Sequence, residues 1–200
     1  MQRISFFIDG FNLYHSLKQN SPQSRWLDLH ALCSAFLKDD EAIEKIYYFT
    51  ALSWNPSKAE KHKRYIKALR TKGVIPVLGK FKSVQKRCNI CGRYYETHEE
   101  KRTDVNIAMS LFEDGMKDLY DKAVIISGDS DLIPPIEKVQ SNFPSKKIGV
   151  IIPISRRAKE LKEVADFSGK ITQKILKQSL FPAKVILLDG SEIESPSNWC

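Results

Sequence analysis

Apolar runs alternate with amphipathic stretches along the whole chain. Five runs predict strands, at residues 4–8, 46–52, 74–81, 123–127 and 147–152. Pro76 marks the third as an edge or bulged strand, because proline cannot donate a ladder hydrogen bond. Since helical patterns separate these strands, the sequence predicts an α/β fold with a mainly parallel sheet of about five strands, covered by helices on both faces.

Apolar positions at helical spacing fill the segments between the strands. They predict helices at residues 11–18, 29–37, 57–71, 104–117, from about 132 onward, 158–167 and 171–176. Asp28 and Thr103 are expected to cap the second and fourth helices, and Gly73 is expected to end the third. Pro134 and Pro135 suit the first turn of the fifth.

Residues 82–102 are polar and interrupt this pattern, so we predict an inserted hairpin or loop there. Residues 185–188 predict a short extra strand, and the last ten residues read as a tail. A chain of 200 residues, 42% of them hydrophobic, is long enough for one well-buried core. We therefore expect one domain over residues 1–180, followed by a short strand and tail over residues 181–200.

Compartment and membrane contact follow from the apolar runs and the cysteines. The longest apolar runs are too short to cross a bilayer, which predicts no membrane partner. The N-terminus has no small-residue cleavage site, so no signal peptide is expected. Four cysteines, only two of them close together, do not make a disulfide framework. A reducing, cytoplasmic setting is the expectation.

Positive charge is concentrated in residues 58–87. This window holds eleven lysines and arginines and one acid, Glu60, in a chain whose total net charge is +8. Such a patch is typical of a nucleic-acid partner, although a solvated lysine-rich helix face is the alternative. The candidate nucleic-acid contacts are Lys58, Lys61, Arg64, Lys80, Lys82, Lys86 and Arg87.

Aspartates follow two of the predicted strands. Asp9 ends the first strand, Asp129 and Asp131 follow the fourth, and Asp104 lies in the first turn of a helix. Because the carboxyl ends of parallel strands meet at one edge of a sheet, these carboxylates are expected to converge. Clustered carboxylates repel one another unless a cation lies between them, and oxygen ligands suit Mg²⁺ or Mn²⁺. Such ions activate water for phosphodiester hydrolysis.

Each aspartate also has an ordinary structural explanation. A single aspartate at a strand end usually forms a turn or caps a helix, and Asp104 would suit the dipole of its own helix. The coincidence of four acids at one predicted edge, beside a basic patch, favours a functional site. Of the four histidines, only His15 falls near these strand ends, so a water activated by metal is a simpler nucleophile than one activated by a histidine base.

Three segments, FFIDGFNLY, KRTDVNIAMSL and AVIISGDSDLIPPIE, resemble in order and spacing the motifs of the NYN family, the LabA-like branch of the PIN-like nucleases. The resemblance covers roughly residues 3–155. It implies a PIN-like three-layer α/β/α sandwich and metal-dependent cleavage of RNA. It also implies metal ligation by Asp9, Asp104, Asp129 and Asp131. Asn12 would lie near metal or substrate, and Thr103 and Ser127 would support the carboxylates.

Cys88 and Cys91 form a Cys-x-x-Cys motif within the polar insertion. The motif has the form of half a structural zinc site, which needs four ligands. His98 is a candidate third ligand, and a second copy of the chain in a homo-oligomer would complete a four-cysteine site; two free cysteines are the alternative. Tyr94 and Tyr95 would either stack on unpaired bases or serve packing.

Three functions are compatible with these features. The leading hypothesis is an endoribonuclease that binds RNA on the basic patch, which would accept single-stranded DNA as well. The second is a non-catalytic RNA-binding or regulatory module on the same fold. The third is an Asp-x-Asp metal-dependent enzyme acting on nucleotide-sugars or phosphates, but this reading leaves Asp9 and Asp104 unexplained.

Overall fold

The computed structural model describes residues 1–196 and contains ten strands and seven α-helices within them. The strands are β1 (Gln2–Asp9), β2 (Glu41–Thr50), β3 (Val74–Leu78), β4 (Lys80–Arg87), β5 (Tyr94–Lys101), β6 (Lys122–Ile126), β7 (Lys147–Ile152), β8 (Phe167–Lys170), β9 (Lys184–Ile186) and β10 (Glu192–Glu194). The helices are α1 (Gly10–Asn20), α2 (Leu29–Ser34), α3 (Pro56–Thr71), α4 (Thr103–Met116), α5 (Ile133–Asn142), α6 (Lys159–Val164) and α7 (Gln173–Gln178). Two short 3₁₀ helices lie at Pro22–Ser24 and Ser130–Leu132.

Six parallel strands form the central sheet, in the order β3-β2-β1-β6-β7-β8. The chain builds one half of this sheet outward from β1 and the other half outward from β6. The strand order therefore reverses between β1 and β6, and a crevice is expected beyond their carboxyl ends. This arrangement confirms the predicted α/β fold and its parallel sheet, and it places Pro76 on the edge strand β3.

Side chains alternate between the two faces of the sheet and build two cores. On one face, Phe6 and its neighbours pack against helices α1, α2, α3 and α7. On the other face, Phe7 and its neighbours pack against α4, α5 and α6. Adjacent residues of β1 thus bury their rings in opposite cores, as the period of a strand requires. The result is the expected three-layer α/β/α sandwich.

The sixth strand, β8, was not expected from the sequence. Residues 158–167 predict one helix, but the helix ends at Val164 and Phe167 begins β8. The strand reads FSGK, is largely exposed, and lies at the sheet edge beside β7. It lacks the apolar run that identifies the buried strands, because an edge strand with one covered face needs few apolar residues.

Helix ends agree with the expected caps in two cases and differ in one. Asp28 caps α2 by accepting hydrogen bonds from the backbone nitrogens of His30 and Ala31. Gly73 follows α3 with φ of 74°, a conformation that favours glycine. The prediction for Thr103 was wrong, because it is the first residue of α4 and Arg102, with φ of 84°, precedes the helix.

The polar insertion is an antiparallel hairpin of β4 and β5 and begins at Lys80, two residues before the expected start. The C-terminal segment packs on the first core, where Phe181 and Val185 are buried, and β9 pairs with β10. Glu192–Glu194 is therefore a strand within the expected tail, while residues 197–200 lie outside the described part. None of the helices in residues 1–196 has the length and apolar character needed to span a bilayer.

Candidate metal centre and adjoining cavity

Three of the four predicted aspartates come together at the point where the strand order reverses. Asp9 ends β1, Asp129 lies in the loop after β6, and Asp104 lies in the first turn of α4. One carboxylate oxygen from each lies within 4.8 Å of the others. Among the described residues, these three make up the one group of acids, histidines or cysteines with the spacing of a metal site.

Asp9 is the buried member and is held by a short hydrogen-bond network. Its Oδ1 accepts from the Asn12 backbone nitrogen at 3.0 Å, and its Oδ2 accepts from the Ser127 hydroxyl at 2.8 Å. Ser127 Oγ also accepts from the Asp129 backbone nitrogen at 3.1 Å. Burial raises the pKa of Asp9, and these hydrogen bonds oppose that rise. The network fixes the carboxylate but leaves its charge uncompensated.

Close contacts connect the first helix to the loop after β6 and to β2. The Gly128 nitrogen donates to Asn12 Oδ1 at 3.1 Å. A Cβ on Gly10 would lie 2.6 Å from the Phe49 carbonyl oxygen and 2.7 Å from the Tyr48 ring. Any larger residue would push α1 away from β2. Glycine is therefore needed at position 10 for close approach and not for a left-handed turn.

Asp104 and Asp131 differ in their relation to the centre. Partial burial, followed by the nearby charges of Asp9 and Asp129, raises the pKa of Asp104 to about 6. Asp131 is exposed and lies outside the three-carboxylate group, although its charge also raises the pKa of Asp104. Its backbone nitrogen donates to Asp129 Oδ1 at 3.1 Å, so Asp129 caps the short helix that holds Asp131.

Glu100 is a further acid beside the centre that sequence reasoning missed. It accepts hydrogen bonds from the Thr103 backbone nitrogen, at 3.2 Å, and from the Thr103 hydroxyl. Thr103 therefore positions Glu100 and not an aspartate, in contrast to the role that the family resemblance implied. The charge of Glu100 also raises the pKa of Asp104. The one signal in the sequence was the position of Glu100 three residues before Thr103. The other acids of β5 made Glu100 hard to single out.

Arg156 lies beside the centre, in the loop between β7 and α6. A Cβ on Gly128 would be 3.3 Å from the Arg156 Cβ, so the arginine packs directly on the loop that carries Asp129. The Arg156 Nε atom is buried and has no hydrogen-bond partner among the described residues. Arg156 is not part of a helix, and α6 begins three residues later, at Lys159.

A cavity of about 830 Å³ opens beside the carboxylates. It lies between α1, the end of β2, the start of α3 and the β4–β5 hairpin, and it adjoins the centre at Gly10, Thr50 and Glu100. Its basic lining residues are Lys18, Arg25, Lys58 and Lys61. Two of these four, Lys58 and Lys61, belong to the predicted basic patch.

The other predicted basic contacts do not join this cavity. Arg64 is exposed on α3. The hairpin register pairs Phe81 with Glu100, two residues that line the cavity, and pairs Lys82 with Glu99. Because alternate residues point to opposite faces, Lys80, Lys82 and Lys86 lie on the hairpin face turned away from the cavity.

The last two residues of the basic patch, Lys86 and Arg87, make their contacts within the hairpin. Lys86 forms an ion pair with Glu99 at 2.5 Å. Arg87 donates to the Gly92 carbonyl oxygen at 3.1 Å, which holds it at the hairpin tip. The patch is thus continuous in sequence but divided in space.

The two cysteines of the motif lie at the tip of the same hairpin. Backbone N–H groups of Cys91 and Ile90 lower the pKa of Cys88, which favours the thiolate that binds metal. His98 pairs with Ser83, well below the tip, and stacks on Trp54, so it is not a third ligand. Among the described residues, no further acid, histidine or cysteine completes a metal site there.

Comparisons with known proteins identify a family, a curated relative and a solved structure of similar fold. A model of the NYN domain matches residues 3–170. The 6-hydroxy-3-succinoylpyridine 3-monooxygenase HspA of Pseudomonas putida is 26% identical over an alignment of 191 positions, and the match covers 76% of this chain and 60% of that protein. The chain therefore spans about 60% of the length of this curated relative.

A crystal structure of a Vibrio parahaemolyticus protein of unknown function has a TM-score of 0.60 and 19% identity to this chain. The two match over 90% of this chain and 96% of the other, which shows a shared fold. The NYN match spans the sheet, the three aspartates and the hairpin, and it is a match to the family as a whole, not to its LabA-like branch. The chain belongs to the NYN domain family, whose members are generally PIN-like nucleases.

Proposed function

We propose that this protein is a metal-dependent endoribonuclease that hydrolyses phosphodiester bonds within RNA. The observation that carries the proposal is the convergence of Asp9, Asp104 and Asp129 within 4.8 Å at the reversal of strand order. Membership of a family of nucleases supports the same chemistry. Neither burial nor packing explains three acids in this position, since each raises the cost of ionising the others.

The donor set fits a hard divalent cation. All three side chains offer carboxylate oxygens, which suit Mg²⁺ or Mn²⁺ and are less suited to ions that prefer imidazole or thiolate. A cation bound there would supply the charge that activates water and stabilises the developing charge on a phosphate. Ser127 and Asn12 would keep Asp9 in one orientation, so that the site needs little rearrangement to bind the ion.

Substrate contacts would come from residues around the carboxylates. Arg156 packs on the loop that carries Asp129 and is half-buried, so the outer nitrogens of its guanidinium suit a non-bridging phosphate oxygen. The cations on the cavity wall, including Lys58 and Lys61, would bind the neighbouring backbone. These positive groups would offset the repulsion between the acidic centre and RNA.

A circular, single-stranded RNA is the substrate that tests this proposal most specifically. Because a circle has no ends, only an endonuclease can convert it to linear products. We expect conversion with Mn²⁺ or Mg²⁺ and none with EDTA, and a circular single-stranded DNA measures discrimination against DNA. Tight, salt-sensitive binding of both circles without cutting would support the non-catalytic RNA-binding module instead.

The curated relative suggests a second candidate, oxidation of a small heteroaromatic molecule. The observation that favours it is the cavity of about 830 Å³, whose aromatic walls and basic residues would accept a ring that carries a carboxylate. The all-carboxylate donor set favours the hydrolytic proposal, since imidazole is the commoner ligand of iron. Oxygen consumption with 6-hydroxy-3-succinoylpyridine and a reduced nicotinamide would support the second candidate.

A further inference from the structure

The hydrolytic proposal uses the carboxylates and the cations on the cavity wall but gives the interior of the cavity no role. The cavity meets the centre at Gly10, which follows Asp9, and at Glu100, whose charge acts on Asp104. A strand whose phosphate lies at the carboxylates would therefore pass the mouth of the cavity with its next nucleotide. The residues that line the cavity indicate which part of that nucleotide would bind there.

Flat aromatic surfaces form one part of the wall. The rings of Trp54 and His98 stack with centroids 4.3 Å apart and planes 16° apart. Trp54 remains 58% exposed, so the hydrophobic core does not account for its position. Phe11 and Phe81 meet edge to face, with centroids 5.6 Å apart. Exposed rings beside a strand path are the usual platforms for unpaired bases, because every base has a flat π-face.

Uncharged polar groups form another part of the lining. Tyr48 Oη lies 3.2 Å from His62 Nε2, and Thr50 Oγ1 lies 3.4 Å from the same nitrogen. Burial lowers the pKa of His62 to about 4 and raises that of Tyr48, so both are neutral at pH 7. Neutral donors and acceptors suit the edge of a base and give no attraction for a phosphate.

The charged residues of the lining are mainly basic. Lys18 and Arg25 come from the first helix and the loop after it, and Lys58 and Lys61 come from α3. Among the described lining residues, Glu100 is the one carboxylate, on the side nearest the metal centre. Aromatic platforms, neutral polar groups and cations together match a nucleotide, whose base is flat and polar and whose phosphates are anionic.

We propose that this cavity is a base-binding subsite that takes one unpaired base of a single-stranded RNA, next to the phosphate held at the carboxylates. The inference rests on the proposed function for the position of that phosphate. It adds a substrate class, because a base stacked inside a duplex cannot enter the cavity. RNA that is single-stranded or has an unpaired base at the cut site would be bound, and a continuous duplex would not.

Binding without cutting tests the subsite independently of hydrolysis. The full chain is titrated in EDTA against a fluorescein-labelled ten-nucleotide RNA, and against versions with one abasic nucleotide at each position in turn. We expect a single abasic position to weaken binding about tenfold, the usual effect of losing one base stack. Trp54→Ala should weaken binding of the intact strand by a similar factor and should remove the penalty at that position.

Matched variants and free nucleotides sharpen this test. Trp54→Phe keeps a flat ring and should retain most of the affinity. Leu188→Ala removes a more exposed apolar side chain outside the cavity and should leave the abasic pattern unchanged. Equal affinity at every abasic position, or an unchanged pattern in Trp54→Ala, would overturn the subsite. Tight binding of a nucleoside monophosphate with no binding of the ten-nucleotide RNA would also overturn it, in favour of a free nucleotide.

The two proposals fail in different ways. An abasic pattern that depends on Trp54, without metal-dependent cutting, would support the subsite and contradict the hydrolytic function. Cutting by wild type, with no effect of abasic positions or of Trp54→Ala on binding, would support hydrolysis and contradict the subsite.

Discussion

Replacing Asp104 by asparagine should stabilise the protein when no metal is bound. Crowding with Asp9 and Asp129, together with partial burial, raises the pKa of Asp104 from 3.8 to about 6. At about 1.4 kcal/mol per pKa unit, ionising this group at pH 7.5 would cost about 3 kcal/mol without screening. Because the side chain is partly open to water, we expect about 1 to 2 kcal/mol, or a rise in Tm of about 2 to 8 °C.

The pH dependence of this gain follows from the direction of the pKa change. A carboxyl group whose pKa is raised by folding binds its proton more tightly in the folded state. Wild type therefore loses stability as pH rises from about 4 to about 6. Asparagine does not titrate, so the advantage of Asp104→Asn should be small at pH 4 and should level off above pH 6.

Thermal unfolding in EDTA, followed at pH 4 and pH 7.5, measures this difference directly. Asp39→Asn makes the same chemical change at an exposed turn and should alter Tm little at either pH. Added Mg²⁺ or Mn²⁺ should raise the Tm of wild type more than that of Asp104→Asn, because the variant lacks one ligand. An Asp104→Asn protein that is less stable than wild type in EDTA at pH 7.5 would refute the view that uncompensated carboxylates crowd this site.

Three further predictions concern other parts of the molecule. Arg156→Ala should slow RNA cleavage about a hundredfold, as loss of a charged contact to the reacting phosphate does, and Arg156→Lys should recover part of the rate in the same assay. The pKa of His62 is lowered from 6.5 to about 4, so His62 takes up a proton when the protein unfolds between pH 4 and pH 6.5. Wild type should gain about 2 to 3 kcal/mol of stability from pH 4 to pH 7.5 through this group, and chemical denaturation of His62→Gln should lack that gain. If Cys88 and Cys91 bind zinc, they supply two of four ligands, so elemental analysis should find about one zinc per two chains in a dimer and none in Cys88→Ser. Zinc in a monomer would contradict the shared site.

The sequence alone predicted those parts of the fold that local pattern determines. The buried strands β1, β6 and β7 carry continuous apolar runs, and the structure contains them close to the expected bounds. The edge strand β8 was missed because its residues are largely exposed and include Gly169, which lowers the strand signal. The predicted cap at Thr103 was wrong because Thr103 lies inside the helix and its hydroxyl donates a hydrogen bond to Glu100 instead of accepting one from the helix backbone.

The sequence predicted the candidate site only in part, for a related reason. Asp9 ends β1 and Asp129 follows β6. Because parallel strands end at one edge of a sheet, the two carboxylates were expected to converge. The stack of Trp54 on His98 depends on how the hairpin packs against the segment between β2 and α3, which no local signal records. The basic patch was divided because alternate residues of β4 face opposite ways, and a count of charges along the chain cannot register that.

The most direct test of the central claim compares RNA cleavage by wild type and Asp129→Asn. Asparagine keeps the oxygen that accepts the Asp131 N–H, so the cap survives while one carboxylate is lost. We expect metal-dependent cleavage by wild type, a loss of at least about a hundredfold in Asp129→Asn, and unchanged RNA binding in EDTA. Asp39→Asn controls for the change in net charge. Cleavage by Asp129→Asn at the wild-type rate, or wild-type cleavage that persists in EDTA, would contradict the claim that the three aspartates hold the catalytic metal.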